Sequence, residues 1–593
     1  MARNILVAVA WPYASANIHV GNLGGAYLPA DIYARYHRLA GDRVLMVSGS
    51  DSHGTPITVA ADREGVHPRD LFERYHRRFL DLFVAMGLSY DLFTHTDTEN
   101  HHRVAQDIFL RLHENGFLLR KREKQLYSTA EGRFLPDRYV EGTCPFCGYE
   151  HARGDQCEHC GRLMDPLELI NPRSRIDGST PVVRETEHFY LNLPAFSEAL
   201  KAWLQAGKAH WRPQVLNFAR NMVEQGLQPR PITRDLDWGI PVPLPGWEGK
   251  CLYVWFEAVI GYLSASIEWA QHQGTPEAWK DWWYDPEART TYFIGKDNIV
   301  FHAVIWPAQL MGTIRLYEED PDRRLNLPWH VPANEFVTLE GRKISGSRNW
   351  AIWVDDYLTR YDPDPLRYYL TANAPETRDT DFSWADFLRR NNDELVATWG
   401  NLVHRTLNFA YRNFEGRIPI PGLMDQRDVE LLATIDVAFK PIGQLIEVAQ
   451  FKAALSEVMS LARRVNAYLD EKSPWFQIKE DRQAAGTTIY VALRAIDSLK
   501  VLFSPFLPFS SQRLHEMLGY EGTIIGEQQI ELYRERERTH LALTYDGSRL
   551  AASWKASELP AGQPLAKPKP LFKKLDESIV EEELARLRAG SVG

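Results

Sequence analysis

Four of the five cysteines in this 593-residue chain lie close together and have the spacing of metal ligands. They form two C-x-x-C pairs, Cys144 with Cys147 and Cys157 with Cys160. Four thiolates complete a closed tetrahedral zinc site with no open position for a substrate, so we predict one structural Zn²⁺ per chain. The fifth cysteine, Cys251, falls in an apolar segment and is predicted to be core.

A second group of candidate residues is the histidine loop, residues 11–22, which reads Trp-Pro-Tyr-Ala-Ser-Ala-Asn-Ile-His-Val-Gly-Asn. It follows an apolar run, residues 5–10, and leads into a helical pattern. Gly21 would allow close approach of a phosphate or an adenine, and a helix N-terminus favours negative charge. His19 could donate a hydrogen bond to a phosphate oxygen. A lone His-x-Gly is also typical of an ordinary turn, but the position after the first strand favours the functional interpretation.

A third group is the basic loop, residues 341–349, which reads Gly-Arg-Lys-Ile-Ser-Gly-Ser-Arg-Asn. It offers Lys343, two hydroxyls, Arg348 and backbone amides freed by Gly346. Adenylation builds charge on an α-phosphate and on the leaving pyrophosphate, and positioned cations stabilise such charge. A solvated basic turn would show the same composition, so this loop indicates a phosphate site only together with other motifs.

The elements that must position these loops alternate between strands and helices. Strands are predicted at 4–10 and 44–47, and helices at 23–39, 69–86 and 100–114. This alternation, with a glycine-bearing turn after the first strand, predicts an α/β fold with a parallel sheet. Ligands of such sheets bind beyond the carboxyl ends of the strands, where the histidine loop lies.

The alternation is interrupted near residue 116 and later resumes. Residues 117–225 contain short strands, the cysteines and two helical stretches, which indicates an insertion. After residue 388 the pattern becomes helical. The predicted later elements are strands at 251–255 and 291–294, helices at 257–271, 300–311, 451–472 and 489–502, and a linker or tail at 553–570; residues 335–339 lead into the basic loop.

Composition excludes several classes of protein. The chain is too long for one core, so several domains are expected. No apolar run approaches the ~18–20 residues of a membrane helix, and the N-terminus has no signal-peptide pattern, which predicts a cytoplasmic protein. The net charge of −10 does not indicate a general nucleic-acid coat, although local patches could still bind RNA phosphates.

The two loops resemble the HIGH and KMSKS signatures of class I aminoacyl-tRNA synthetases. Over about residues 3–550 the chain is similar to methionyl-tRNA synthetases of the four-cysteine zinc-knuckle type. The segments that carry this resemblance are Trp-Pro-Tyr-Ala before His19, Gly-Ser-Asp-Ser-His-Gly-Thr-Pro at 49–56, Tyr-Val-Trp-Phe-Glu-Ala at 253–258, and Phe-Ile-Gly-Lys-Asp at 293–297 with His302.

The resemblance implies a Rossmann-type parallel-sheet catalytic domain that is split by a zinc-binding insertion and followed by an all-α anticodon-binding bundle. The implied domains are 1–116, first catalytic half; 117–225, connective insertion with a zinc knuckle at 141–165; 226–330, second catalytic half; 331–388, basic loop and stem-contact region; 389–552, helical anticodon-binding domain; and 553–593, linker and C-terminal helix.

The resemblance also implies roles for the site residues. Asp51 would hold the ammonium group of methionine, and an aromatic pocket suits its polarizable thioether. The implied methionine-binding residues are Trp11, Tyr13, Asp51, Trp255, Ala258, Tyr262 and His302. The implied ATP-binding residues are Gly21, Gly295, Asp297, Lys343 and Gly346. The implied catalytic residues are His19, Asn22, Lys343, Ser345, Gly346, Ser347 and Arg348. Glu257, Val259 and Asn298 stand where the family often has Asp, Pro and Ile.

In the helical region the resemblance implies an anticodon site formed by Asn401, Arg405, Pro474 and Trp475. Asn and Arg can bond base edges and Trp can stack a splayed base, as is usual for unpaired RNA. The implied partners are tRNA(Met), ATP and L-methionine, with Mg²⁺ accompanying ATP. The sequence has no recognisable added tRNA-binding barrel, so a monomer is expected.

Both loops depart from the family pattern at one position. Asn22 replaces the final His of HIGH and can still donate a hydrogen bond, so a mild effect is expected. Gly346 replaces the second Lys of KMSKS, and loss of one positioned donor commonly costs ~3–4 kcal/mol. Lys343 and Arg348 could carry the charge, another cation could enter, or activation could be slow; we take the first as our hypothesis.

The sequence therefore predicts an enzyme that activates L-methionine with ATP and transfers it to the 3′ end of tRNA(Met), for initiation and elongation of protein synthesis. Leucine and norleucine would be the nearest rival substrates. The alternative is a weakened paralogue that binds tRNA or methionine without efficient charging, which Asn22 and Gly346 would favour.

Overall fold

The centre of the protein is a seven-stranded sheet in which five neighbouring strands run parallel, as predicted. The strands are, in spatial order, Ala333–Asn334, Arg289–Gly295, Asn4–Val9, Arg43–Ser50, Leu92–His95, Thr539–Asp546 and Glu527–Arg534. Along the central strand, Ile5, Val7 and Val9 pack into one apolar core, and Leu6 and Ala8 pack into another. Both faces are thus covered, which explains why this strand is continuously apolar. The computed structural model describes residues 2–136, 139–154, 157, 159–160 and 164–591.

Helices cover both faces of the sheet. The predicted helix at 23–39 begins with a π turn and continues as an α-helix, and a helix at Thr55–Glu64 was not predicted. That segment contains Gly54 and Pro56, which indicate a loop, yet proline is tolerated in the first turn of a helix. The helical elements here are Val20–Asn22, Leu23–Tyr27, Leu28–Leu39, Thr55–Glu64, Pro68–Met86, Glu99–Glu114, Val254–Glu257, Ala258–Ile260, Gly261–His272, Lys280–Trp283, Lys296–Asn298, Phe301–Ile305 and Trp306–Thr313.

The last two strands of the sheet form a hairpin that comes from the C-terminal part of the chain. Strand Thr539–Asp546 pairs antiparallel with Glu527–Arg534 and, through Leu543 and Phe93, with the edge of the parallel sheet. In the sequence these residues had been grouped with the helical region, so this part of the prediction differs from the structure. Glu535, in the hairpin turn, accepts hydrogen bonds from two backbone amides at the start of helix Glu99–Glu114.

The insertion is built around a long antiparallel pair, Leu118–Ser128 with Val182–Leu191. The cysteine pairs lie between short strands of a separate three-stranded sheet. The remaining elements of this part are strands Arg133–Phe134, Val140–Thr143, Ala152–Arg153, Ile170–Ser174, Arg230–Pro231, Thr233–Arg234 and Cys251–Leu252, and helices Pro166–Glu168, Leu193–Phe196, Ser197–Gln205 and Pro213–Glu224. The predicted strand at 251–255 is therefore short, and Cys251 is buried as expected.

The C-terminal region is mainly helical, as predicted. Helix Phe451–Lys472 has the predicted bounds, and the predicted helix at 489–502 lies within Arg482–Phe503. The other elements are Val337–Leu339, Arg342–Lys343, Gly346–Arg348, Val354–Leu358, Pro363–Ala372, Thr380–Phe382, Trp384–Arg389, Arg390–Gly400, Asn401–Asn413, Gln426–Glu447, Pro474–Gln477, Pro508–Met517 and Ile579–Ser591. Within the described ranges, every helix is too short or too polar to cross a membrane.

Candidate active site

The four clustered cysteines form a site that fits a structural zinc ion. Their ligand sulfurs all lie within 4.8 Å of one another. The Cys144 and Cys160 sulfurs are 3.9 Å apart, and those of Cys147 and Cys157 are 3.6 Å apart. Tetrahedral Zn–S bonds of about 2.3 Å place sulfurs roughly 3.8 Å from one another. These distances therefore fit four thiolates around one ion and are far too long for disulfides.

The histidine loop fixes the orientation of the His19 ring. His19 is the N-cap of the short helix Val20–Asn22, and its Nδ1 accepts a hydrogen bond from the Asn22 backbone amide at 3.2 Å. In return, Asn22 Oδ1 accepts from the His19 amide at 3.2 Å, which completes a capping box. Burial lowers the pKa of His19 to about 4. The neutral ring therefore carries its proton on Nε2, which is available as a donor.

The histidine loop pairs through its backbone with residues 352–354, which come just after the basic loop. The Val20 amide donates to Ile352 O, and the Val354 amide donates to Ile18 O, both at 3.0 Å. A Cβ on Gly21 would lie 3.2 Å from Ile344 Cδ1, so glycine permits this close contact between the loops. The structure therefore brings together two segments that are far apart in the sequence.

The basic loop presents its cations at the surface. Lys343 ends the strand Arg342–Lys343, and Gly346–Arg348 forms a single 3₁₀ turn. Lys343, Gly346 and Arg348 are exposed, and Ser345 pairs through its backbone with Trp350 in both directions at 3.0 Å. The side chain of Ser347 lies outside the described part of the chain.

Gly295 ends strand Arg289–Gly295 at the carboxyl edge of the sheet, and Asp297 lies in the turn that follows it. A Cβ on Gly295 would meet no atom within 4 Å, so open space faces this backbone. Burial raises the pKa of Asp297, and the nearby cations Lys296 and Lys343 oppose that shift. The predicted ATP residues of this strand end thus lie close to the basic loop.

Asp51 lies at the carboxyl end of strand Arg43–Ser50 and is 3% exposed. Its backbone pairs with the histidine loop, since its amide donates to Pro12 O at 2.8 Å. Burial and the nearby Glu257 raise the pKa of the Asp51 carboxyl well above its usual value, and His53 opposes this shift. Among the residues that the structure describes, no Lys or Arg forms an ion pair with Asp51. Such a carboxyl suits the ammonium group of a ligand.

Aromatic side chains next to Asp51 form the predicted pocket. Tyr13 and Trp255 meet edge to face with ring centroids 6.0 Å apart. His302 Nδ1 donates to Asn298 O at 2.9 Å, so its Nε2 accepts from the Tyr262 hydroxyl at 2.7 Å. Burial lowers the pKa of His302 to about 4, which keeps the ring neutral.

Trp11 packs between small residues near the same aromatic group, and a cavity lined by Tyr13 and Trp255 opens towards the insertion. The ring centroids of Trp11 and Tyr262 are 6.4 Å apart. A Cβ on Gly49 or Gly261 would clash with the Trp11 indole. Ala258, at the start of the turn Ala258–Ile260, is also buried. A cavity of about 640 Å³ lies between Tyr13, Trp255 and the strand Leu118–Ser128.

Several residues of this site were not predicted from the sequence. Phe301 stacks on Trp255 at 4.4 Å and belongs to the same π turn as His302. Below Asp51, the buried Glu257 carboxylate accepts from His53 Nδ1 at 2.9 Å and from His101 Nε2 at 2.7 Å. Burial disfavours a charge on His53, but Glu257 and Asp97 outweigh it and raise its pKa to about 10. The residues of this network come from separate segments, so only their appearance within the family-like motifs could have drawn attention to them.

Of the predicted anticodon residues in the helical region, Asn401 is exposed, Arg405 and Trp475 are half-buried, and Pro474 is buried. Arg405 lies one turn after Asn401 on helix Asn401–Asn413, and its guanidinium is 5.2 Å from the centre of the Trp475 ring. Pro474 starts the short helix that carries Trp475. A cavity of about 370 Å³ is lined by Arg405, Asn408, Phe409, Arg412, Asn413 and Trp475, of which only Arg405 and Trp475 were predicted.

Two family models and several curated relatives match the chain. A family described as tRNA synthetases class I (M) matches residues 5–407, and one described as the anticodon binding domain of methionyl tRNA ligase matches residues 418–591. The chain is 59% identical over 596 residues to a methionine–tRNA ligase of Thermomicrobium roseum, with 100% of both chains covered. It is 55% identical over 600 residues to one of Chloroflexus aggregans, covering 99% of this chain and 100% of that relative.

Solved structures show the same fold. The structure of Mycobacterium tuberculosis methionyl-tRNA synthetase in complex with methionyl-adenylate aligns with a TM-score of 0.74 and 24% identity, covering 96% of this chain and 100% of that chain. The apo form of that protein aligns with a TM-score of 0.66 and 23% identity, covering 97% of this chain and 98% of that chain.

Proposed function

The chain belongs to the methionyl family of class I tRNA synthetases, and on that basis we propose how its residues carry out the reaction. It is an ATP-dependent methionine–tRNA ligase, which activates L-methionine to methionyl-adenylate and transfers it to tRNA(Met). The observation that carries our assignment of the site is Asp51, a buried carboxyl beside an aromatic pocket and next to two joined loops.

The methionine subsite is assigned to Asp51 and to the aromatic residues around it. The ammonium group of the substrate bonds the Asp51 carboxylate, and its charge offsets the unfavourable burial of that carboxylate. The thioether lies among Tyr13, Trp255, Tyr262 and His302, because aromatic edges bind polarizable sulfur well. Trp11 and Ala258 complete the wall. The neutral state of His302 keeps a charge away from the apolar end of the substrate.

The ATP subsite is assigned to the edge of the sheet between the two loops. Gly21 and Gly295 allow close approach of the nucleotide, and Asp297 bonds its ribose or adenine. A methionine carboxylate oxygen attacks the α-phosphorus, the bond between the α-phosphorus and its bridging oxygen breaks, and pyrophosphate leaves with the electron pair. Lys343 and Arg348 stabilise the charge on the leaving group, while His19 Nε2–H donates to an oxygen of the α-phosphate.

The remaining loop residues are assigned to shaping this site. Asn22 orients His19 through the capping box. The hydroxyls of Ser345 and Ser347 bond phosphate oxygens, and Gly346 lets the backbone approach them. In the second step a hydroxyl of the terminal tRNA ribose attacks the acyl carbon of methionyl-adenylate, and AMP leaves.

The anticodon site is assigned to Asn401, Arg405, Pro474 and Trp475. An unpaired base stacks on Trp475, and the polar groups of Asn401 and Arg405 bond its edge. This assignment is supported by the cavity beside Trp475. Charging of tRNA(Met) by this site would serve both initiation and elongation.

The cofactors and the assembly state follow from the same assignment. Cys144, Cys147, Cys157 and Cys160 would hold one Zn²⁺, which stabilises the insertion and takes no part in the chemistry. Mg²⁺ would accompany ATP and neutralise its phosphates. We propose that the enzyme acts as a monomer in the cytoplasm.

Methionine-dependent ATP–pyrophosphate exchange tests this function. We expect exchange with methionine and little with leucine or cysteine, because the pocket selects an unbranched thioether. Charging of tRNA(Met) should follow in the aminoacylation assay. Tight methionine or tRNA binding without exchange would instead favour the weakened paralogue, for which no comparison gives support.

A further inference from the structure

Among the tryptophans that the structure describes, Trp353 is the one whose backbone pairs with the histidine loop and whose side chain faces the basic loop. Its backbone forms an antiparallel bridge with His19. The indole lies 6.0 Å from the His19 ring and reaches across to the 3₁₀ turn at Gly346–Arg348. A single residue therefore contacts both phosphate-binding segments.

The indole of Trp353 fills the space in which a side chain at position 346 would begin. A Cβ on Gly346 would lie 3.2 Å from Trp353 Cη2 and 3.9 Å from Cζ2. The first distance is tighter than an ordinary van der Waals contact, so the indole would have to shift by a few tenths of an ångström to admit a Cβ at position 346. The absence of a lysine at this position is thus matched by a bulky neighbour.

The indole is also anchored at its polar edge. Trp353 Nε1–H donates to Asn349 Oδ1 at 2.9 Å, and Asn349 closes the basic loop in a left-handed conformation with φ of 47°. Asn349 Nδ2–H in turn donates to Gly590 O at 3.1 Å. Gly590 lies near the end of helix Ile579–Ser591, where carbonyls lack a partner within the helix. The chain of contacts thus fixes the indole from two sides.

We propose that Trp353 is the positioning residue of the basic loop. Its indole takes the place of a side chain at 346 and holds the loop turn against His19, so that Lys343 and Arg348 alone supply the positive charge to the triphosphate. This inference rests on the proposed function, because it assigns Trp353 a part in adenylation. It predicts that the effect of a substitution at Gly346 depends on the side chain at position 353.

Lysine substitution in two backgrounds tests the pair. In the wild-type background, G346K should lower kcat/KM for ATP in the exchange assay by about tenfold or more, because the new side chain displaces the indole and the turn. W353A should also lower it, because the turn is no longer held. In the W353A background the same lysine should raise kcat/KM, since the space is open and the added cation reaches the phosphates.

A second background and a matched control make the result specific. W353F keeps an aromatic ring but lacks Nε1 and the far edge of the indole, so the lysine should be tolerated better there than in the wild type. W203F changes another half-buried tryptophan, in helix Ser197–Gln205, and should leave exchange unchanged. In all variants the KM for methionine should stay near the wild-type value, because the methionine subsite is unaltered.

The inference is wrong if G346K changes kcat/KM for ATP by the same factor in the wild-type and W353A backgrounds, or if W353A retains full exchange activity. Either result in an active wild-type background would leave the proposed function standing. Absence of methionine-dependent exchange in the wild-type protein would refute the proposed function and this inference together.

Discussion

Replacement of Asp51 by asparagine should separate two effects of this carboxyl: it should weaken the binding of methionine and stabilise the ligand-free protein. Asparagine is similar in size, and its Oδ1 can still accept the hydrogen bond that Asp51 Oδ1 accepts from the His53 amide at 3.3 Å. The substitution therefore removes the negative charge with little change in the local hydrogen bonding. Because Asp51 is 3% exposed, water cannot replace the lost charge next to a bound ammonium group.

The expected loss of activity follows from this burial. Removing one partner of a buried ion pair costs roughly 3–5 kcal/mol. At about 1.4 kcal/mol per factor of ten, kcat/KM for methionine should fall by roughly 10²–10³ or more. Binding of 4-(methylthio)butanoate, which lacks the ammonium group, should change little. The substitution should therefore erase the preference for methionine over its des-amino analogue.

The effect on stability should have the opposite sign. Burial raises the pKa of Asp51 well above its usual value, so the ionised carboxylate destabilises the folded, ligand-free protein. An acid with a raised folded-state pKa loses stability as the pH rises from its unfolded value, about 3.9, to its folded value. D51N should thus unfold at a higher temperature than the wild type at pH 7. This advantage should shrink as the pH falls towards about 4, where the wild-type carboxyl is protonated in the folded state and begins to be protonated in the unfolded state as well.

Exchange kinetics with methionine and thermal unfolding at several pH values from about 4 upwards check both statements. D81N, which changes an exposed carboxylate paired with Arg77, is the matched control and should alter neither quantity. Equal loss of methionine and des-amino analogue binding would contradict the assignment of Asp51 to the ammonium group. A D51N protein less stable than the wild type at pH 7 would contradict the argument from burial.

Three further perturbations test the other parts of the site. K343A should lower the rate of ATP–pyrophosphate exchange by a factor of roughly 10²–10³. R342A, which changes the neighbouring cation on the exposed strand, should lower this rate far less. A near-normal exchange rate in K343A would refute the role of Lys343. W475A should lower kcat/KM for tRNA(Met), because the loss of one stacked base costs ~1–3 kcal/mol of binding free energy, and should change methionine-dependent exchange little. Normal charging of tRNA(Met) by W475A would exclude Trp475 from the anticodon site. C147S should reduce the zinc measured by mass spectrometry and lower the unfolding temperature, whereas C251A should retain one zinc per chain.

Strong periodicity made part of the fold predictable from the sequence. Helix Phe451–Lys472 was predicted with the bounds that the structure shows, because its apolar residues recur at helical spacing over six turns. The buried strand Asn4–Val9 was equally clear, since an apolar run covered on both faces needs no alternation. The four cysteine ligands were predictable because the two-residue gap of each C-x-x-C pair lets both of its thiolates face one metal ion.

Other features could not be predicted, because they depend on contacts between distant segments. The hairpin of Glu527–Arg534 and Thr539–Asp546 has a mostly polar first strand, and only pairing with the edge strand Leu92–His95 gives it a place in the sheet. The bonds of Glu257 to His53 and His101 likewise join three separate segments. A sequence pattern reports the local period of a segment and carries no information on which segment will meet it.

The two departures from the family signatures gain a common explanation from their contacts with His19. Asn22 bonds the His19 backbone in the capping box, and Gly346 makes room for Trp353, which pairs with His19 and faces its ring. Only the Gly346 departure removes a side-chain donor, and both departures help to fix the position of His19. A donor that is already oriented needs no reorganisation when charge develops on the phosphate, and electrostatic catalysis depends on such preorganisation. We infer that this active site relies on fewer, more rigidly held donors, in which His19 Nε2–H is the central one.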